Sequence, residues 1–157
     1  MSIDIIYKPA DTATDFEHGR SLFKEYVASL GVDLSFQDFE NELKIIDRQY
    51  SKPAGSLLLV FHNGQAIGCA GIRQLDAETA ELKRMYVQEA YRGRGIGVEL
   101  LKRSLQLAKA LGYKKIKLDT LKDMAKAQEL YRSFGFYEVP PYRFNPLEGT
   151  VYMEKEL

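Results

Sequence analysis

Arg92-Gly93-Arg94-Gly95-Ile96-Gly97 decides how the rest of the chain is read. Three glycines at alternate positions let a backbone curl close to a ligand with its N–H groups turned inward. Apolar residues then recur at helical spacing, Leu100, Leu101, Leu105, Ala108 and Leu111, until Gly112 stops them. A helix starting here adds the partial positive charge of its N-terminus, so strand, glycine loop and helix together suit a phosphate group. A ligand-free tight turn would use the same glycines; the flanking Arg92 and Arg94 favour the phosphate. Spacing excludes two common phosphate loops. A dinucleotide G-x-G-x-x-G would need glycine where Val98 stands and a strand ending directly before Gly93, whereas Val87 lies six residues upstream. No glycine is followed by Lys-Ser or Lys-Thr, which removes the nucleoside triphosphate loop.

Upstream, Ala80–Val87 and Ala66–Leu75 read as strands, and Asn63-Gly64 is the hairpin signal joining the latter to a strand over Gly55–His62. Ile3–Lys8 is a further β-prone run. Phe16, Phe23, Tyr26, Val27 and Leu30 mark an amphipathic helix ended by Gly31, and Ser35 caps a second helix with Phe36, Phe39, Leu43 and Ile46 on its apolar face. Downstream, Lys115–Thr120 alternates as a strand, and Ala127, Leu130, Tyr131 and Phe134 define a helix ending at Gly135. Short strands follow from Phe136 and over Thr150–Lys155, separated by the Pro140–Pro146 loop. The order predicts an α+β fold, a mixed, mostly antiparallel sheet flanked by helices, with residues 1–157 as one domain.

Composition narrows the function. The 157 residues carry 22 Lys plus Arg and 22 Asp plus Glu, so no global field recruits nucleic acid or an anionic membrane. Locally, residues 83–132 hold thirteen basic and five acidic residues, leaving nine basic and seventeen acidic elsewhere. The single cysteine, Cys69, cannot form an internal disulfide, and with only His18 and His62 beside it no metal site is expected. No apolar run reaches the ~20 residues of a membrane span and no leader pattern opens the chain, so the expected location is cytoplasmic.

Glu81-Leu-Lys-Arg-Met-Tyr-Val87, a short loop and Arg92-x-x-Gly95-x-Gly97 resemble the acetyl-coenzyme A motif of the GNAT N-acetyltransferase superfamily, and Ala127-x-x-Leu130-Tyr131-x-x-x-Gly135-Phe136 resembles the rest of its core. The resemblance implies an enzyme moving an acetyl group from acetyl-coenzyme A to a primary amine, an amino acid or other small amine, by direct attack in a ternary complex. It implies that backbone groups of Met85 and Val87 meet the pantetheine arm and the acetyl carbonyl. The loop Arg92, Gly93, Arg94, Gly95, Ile96, Gly97 and Val98 would hold the pyrophosphate. Tyr131 would protonate the leaving thiolate, and Glu81 would serve as general base, directly or through water. Many relatives carry asparagine seven residues before that tyrosine; here the residue is Met124. The partner expected is a small-molecule amine, with neither nucleic acid nor membrane, and a homodimer is left open.

Each of these residues has a plainer reading. Strand alternation would set Glu81 on one face with Lys83, Met85 and Val87, looking into a cleft, but a carboxylate paired with a lysine fits the same position. Tyr131 fits a core aromatic, and Cys69 a packed thiol rather than an acyl carrier. A catalytically silent acyl-coenzyme A sensor and a nucleic-acid module using the basic segment are the rival functions; retention of Glu81 and Tyr131 opposes the first, and the lack of a reading motif opposes the second. For the acceptor, nine acids within residues 11–47 against Arg20, Lys24 and Lys44 suggest a cationic molecule, while Arg143 suits an acceptor carboxylate.

Overall fold

The computed structural model describes residues 4–33, 38–143 and 145–157. Seven strands form one sheet: β1 (Ile5–Pro9), β2 (Ser56–His62), β3 (Gln65–Gln74), β4 (Thr79–Val87), β5 (Lys115–Thr120), β6 (Tyr137–Val139) and β7 (Val151–Glu156). Their order is β1-β2-β3-β4-β5-β7-β6, and only β4 and β5 run parallel. The fold is therefore the expected α+β class with a mostly antiparallel sheet. Asn63 and Gly64 take φ of 51° and 79°, the left-handed pair that a two-residue hairpin between β2 and β3 requires.

Helix α1 (Ala13–Leu30) begins with a capping box: the Thr12 hydroxyl accepts from the Asp15 N–H, and the Asp15 carboxylate accepts from the Thr12 N–H. Gly31, at φ 66°, ends it. The second predicted helix is two short ones, α2 (Phe39–Lys44) and α3 (Ile46–Gln49), broken at Ile45. Ser35 and Phe36, read as its start, and Ile3, read as the start of β1, lie outside the described residues. Helix α4 (Ile96–Ala110) follows the glycine loop, and α5 (Ala125–Ser133) follows β5.

Two cores sandwich the sheet. Phe16, Leu22, Phe23, Ile46 and Tyr50 from α1, α3 and the end of α3 cover Leu57, Leu59 and Cys69 on one face. Ile96, Leu100, Leu101 and Leu105 of α4 and Tyr131 of α5 cover Leu58, Val60, Ile72, Leu82 and Ile116 on the other. Burying the apolar stripe of α4 stabilises the fold by roughly 1.5–3 kcal/mol per large side chain before entropy is counted.

Candidate active site

β4 and β5 pair only at Thr79↔Lys115, Ala80↔Ile116 and Glu81↔Lys117. Beyond Glu81 they diverge, and the gap is a cleft of about 690 Å³. Met85, Val87, Arg92, Gly93, Ile96 and Gly97 border it from β4 and the glycine loop, Leu121, Met124 and Ala127 from β5 and α5, and Tyr26 and Leu30 from α1. Among the described residues no strand pairs with this edge, so backbone groups there are open to a ligand. Gln88 donates its N–H to Ile67 O on β3 at 2.9 Å. Successive N–H groups of a strand point to opposite edges, so Val87 and Met85 turn theirs toward the cleft. The Arg92 Nε donor, 2.9 Å from Val87 O, meets the same edge.

Gly93 and Gly95 hold φ of 77° and 78°, values at which side chains are strained, and Gly95 is the N-cap of α4 with no side chain to satisfy the first-turn N–H groups. A Cβ added at Gly95 or Gly97 would meet no atom within 4 Å, so the loop borders open space. Arg92 and Arg94 are exposed beside it, their guanidinium groups over Tyr86 and Tyr91, and Val98 is 49% exposed.

One expectation about β4 fails. Ala80, Leu82, Met85 and Val87 all face α4 and α5, whereas Tyr86 faces α1, so alternation breaks between Leu82 and Met85. The cause is a β-bulge: the β3–β4 register shifts between Cys69 and Gly71, and Arg84 takes φ 56°. Glu81 is thus on the face opposite Met85 and Val87. Arg84 is held in its strained conformation by a buried ion pair, its guanidinium 2.8 Å from Glu42 Oε1, while the Tyr50 hydroxyl donates to Glu42 Oε2 at 2.9 Å.

Glu81 is fully buried. Its Oε1 accepts from Arg73 Nε at 2.8 Å; its Oε2 accepts from the Tyr142 hydroxyl at 2.8 Å and from the Arg143 guanidinium. Burial alone would raise its pKa, but Lys83, Arg73 and Arg143 outweigh that and hold it at about 2. A carboxylate so enclosed and so acidic is a poor proton acceptor; it ties β3, β4 and the 140–150 loop together. Arg143, expected to read an acceptor carboxylate, is engaged by Glu81. Lys83, also buried, is lowered to about 8 by burial and by Arg84, against Glu81 and Asp119.

Tyr131 is 7% exposed and packs edge-to-face on Phe136 at 5.7 Å. Burial, then the nearby Tyr26 and Asp119, raise its pKa, so it is always protonated. It does not border the cleft directly; Tyr26 does, with its own pKa pushed up to about 12 by burial. Met124 borders the cleft where a relative's asparagine would stand, offering a thioether instead of an amide. Several acids of residues 11–47 are engaged elsewhere: Asp15 caps α1 and meets Lys8 at 3.1 Å, Glu17 pairs with Arg20, and Glu42 pairs with Arg84. Glu25, accepting from Gln88 Nε2 at 3.0 Å and from the Tyr86 hydroxyl at 3.3 Å, is the one tied to the cleft's β4 wall. Sequence reasoning overlooked Tyr26, Lys83 and Asp119; an acid alternating with apolar residues on β5 was the available signal.

Comparison with known proteins agrees with this geometry. The model of the acetyltransferase (GNAT) family matches residues 20–136. The chain belongs to the GNAT acetyltransferase family. An uncharacterized N-acetyltransferase of Schizosaccharomyces pombe is 37% identical over 159 aligned residues, covering 100% of this chain and 95% of its own. An acetyltransferase of Streptococcus agalactiae shares the fold, with a TM-score of 0.79 at 20% identity over 98% of each chain. A GNAT acetyltransferase of Elizabethkingia anophelis, solved with acetyl-CoA bound, gives a TM-score of 0.64 at 26% identity, again over 98% of each chain. GNAT membership makes this protein an N-acetyltransferase with acetyl-coenzyme A as co-substrate. Among the described residues no helix is long and apolar enough to cross a membrane.

Proposed function

We propose that this GNAT enzyme acetylates a small primary amine that also bears a carboxylate, an amino acid or a close analogue, by direct attack on acetyl-coenzyme A in a ternary complex. The observation that carries the reading is the splayed β4–β5 edge, with the glycine loop at one end and a charged cluster on the α1 side of the other. The inward N–H groups of Gly93 to Val98 and the side chains of Arg92 and Arg94 hold the pyrophosphate, which the open space at Gly95 and Gly97 supports. The N–H groups of Met85 and Val87 face where the acetyl oxygen gains charge. Tyr131, kept protonated by burial just behind the cleft wall and sensing the charge of cleft-lining Tyr26, is the residue we assign to protonate the leaving thiolate. Glu81 acts as a positioning residue, fixing Arg73 and Arg143 and through them the acceptor wall, rather than taking the amine proton itself.

Two features support the finer points. Arg73 and Arg143 both converge on Glu81, two cations on one carboxylate, and that local positive charge favours an acceptor with a carboxylate. Cys69, the only cysteine, is fully buried, donates to Arg84 O at 3.3 Å and has its pKa raised by burial, so it is no acyl carrier. The test is acetyl transfer to a panel of amino acids and plain alkylamines, followed by thiol release and product mass. Carboxylate-bearing amines should react fastest, and initial-rate lines should intersect. Parallel lines would refute direct transfer, and faster reaction of plain alkylamines would refute the acceptor class.

A further inference from the structure

We infer that Asp119 and Thr120 form the recess that receives the acceptor's ammonium group, and that Asp119 is the catalytic base that takes its proton; this rests on the reading of the chain as an amine acetyltransferase given above. Beside the main cleft, and sharing Tyr26, Leu30 and Leu121 with it, lies a second cavity of about 30 Å³. That exceeds the ~10–15 Å³ a cavity needs to hold one water-sized group, so an ammonium group fits. Asp119, Thr120 and Arg84 line it, with Asn145 and Thr150 from the loop and strand beyond.

Two oxygens on residues lining this recess stand out. Asp119 Oδ2 and Thr120 Oγ1 are buried and accept or donate no hydrogen bond among the described residues. Thr120 as a whole is 6% exposed. An unpartnered buried oxygen costs about 1–3 kcal/mol, more for a charged one, so such groups persist where a ligand completes them. A carboxylate and a hydroxyl that both lack donors, on consecutive residues lining one recess, suit a group that only donates, which an alkylammonium is. Arg84 shares the recess but its guanidinium is bound by Glu42.

Asp119 is also central to the electrostatics of the site. Its charge acts on Tyr26 from α1, on Lys83 from β4 and on Tyr131 from α5. It acts equally on Tyr142 and Arg143 from the loop and on Tyr152 from β7. Its charge is thus felt both by Tyr26, which borders the cleft, and by Tyr131 behind it. Glu81, by contrast, has every carboxylate oxygen taken.

The proton and electron count closes. One N–H bond of the ammonium breaks and its proton moves to the Asp119 carboxylate, leaving the nitrogen lone pair free. That pair forms the C–N bond to the thioester carbon; the C–S bond breaks and its electron pair leaves with sulfur, which takes the Tyr131 proton. The second proton now acid on nitrogen restores the Tyr131 hydroxyl, and Asp119 releases its proton to water. The products are the amide, the free thiol and one proton.

The experiment uses the full chain, acetyl-coenzyme A and whichever amine of the panel wild type acetylates fastest. Asp119→Asn should lower kcat by 10²- to 10⁴-fold at pH 7 and regain part of it by pH 9, as more acceptor arrives deprotonated. Its melting temperature and acetyl-coenzyme A affinity should match wild type, and Asp119→Glu should recover at least a tenth of the rate. Thr120→Val should raise the amine KM several-fold at unchanged cofactor affinity. Wild-type kcat in Asp119→Asn overturns the inference alone. No acetylation of any amine by wild type overturns the underlying reading and the inference with it.

Discussion

Replacing Glu81 by glutamine separates a strut from a base. The carboxyl is held at about 2 against an ordinary 4.5, so its ionised form is worth about 3 kcal/mol to the folded state at neutral pH. Breaking a buried ion pair by removing one partner costs a similar ~3–5 kcal/mol, since here Arg73 and Arg143 would keep their charge without their carboxylate. For a chain of 157 residues, with an unfolding entropy of roughly 2.1 cal/mol/K per residue, a loss of about 3 kcal/mol lowers the melting temperature on the order of 9 °C. Calorimetric melting and urea titration read the loss directly. Turnover per folded molecule, measured well below the new melting point, should fall less than tenfold and show no special recovery at high pH. A melting temperature within 2 °C of wild type, together with a turnover loss of 100-fold or more that recedes as pH rises, would refute the strut and return Glu81 to the role of base.

Gly97→Leu should abolish acetyl-coenzyme A binding in titration calorimetry while leaving the melting temperature within a few degrees, because the added side chain enters open space bordering the loop rather than the core. Tyr131→Phe should lower kcat at least tenfold with cofactor affinity changed less than threefold, since a hydroxyl that protonates the thiolate acts mainly in the transition state; equal turnover would return it to the core. Stability should also depend on pH in a set direction. Glu81 and Asp15, both held at about 2 in the folded state, contribute fully above the ordinary carboxylate range, and that contribution is lost as pH falls from about 5 toward 2. The urea midpoint should therefore fall across that window, less steeply in Glu81→Gln, and an equally steep fall in the variant would remove Glu81 as a source.

Local signals in the sequence determined the order of elements, the hairpin at Asn63-Gly64, the stops at Gly31 and Gly112, and the glycine loop before α4. Each of these depends on neighbours a few residues apart: a left-handed φ, a 3.6-residue period, a two-residue turn. The family resemblance over Glu81–Phe136 was legible for the same reason. What lay beyond it was the face each β4 side chain takes, because the bulge at Arg84 depends on Glu42, forty-two residues earlier, and on the register with β3. Lys83 and Arg84 adjacent within an apolar strand were its only trace. One extra residue at that bulge moves Glu81 to the α1 side, where Arg73, Tyr142 and Arg143 converge from three separate stretches of chain and fix it as an ion-paired strut. The same long-range assembly, through the divergence of β4 from β5, leaves Asp119 and Thr120 near the cleft with oxygens that find no partner among the described residues. Local pattern fixes which elements form, while burial and pairing across the sheet decide which of their charges remain available for chemistry.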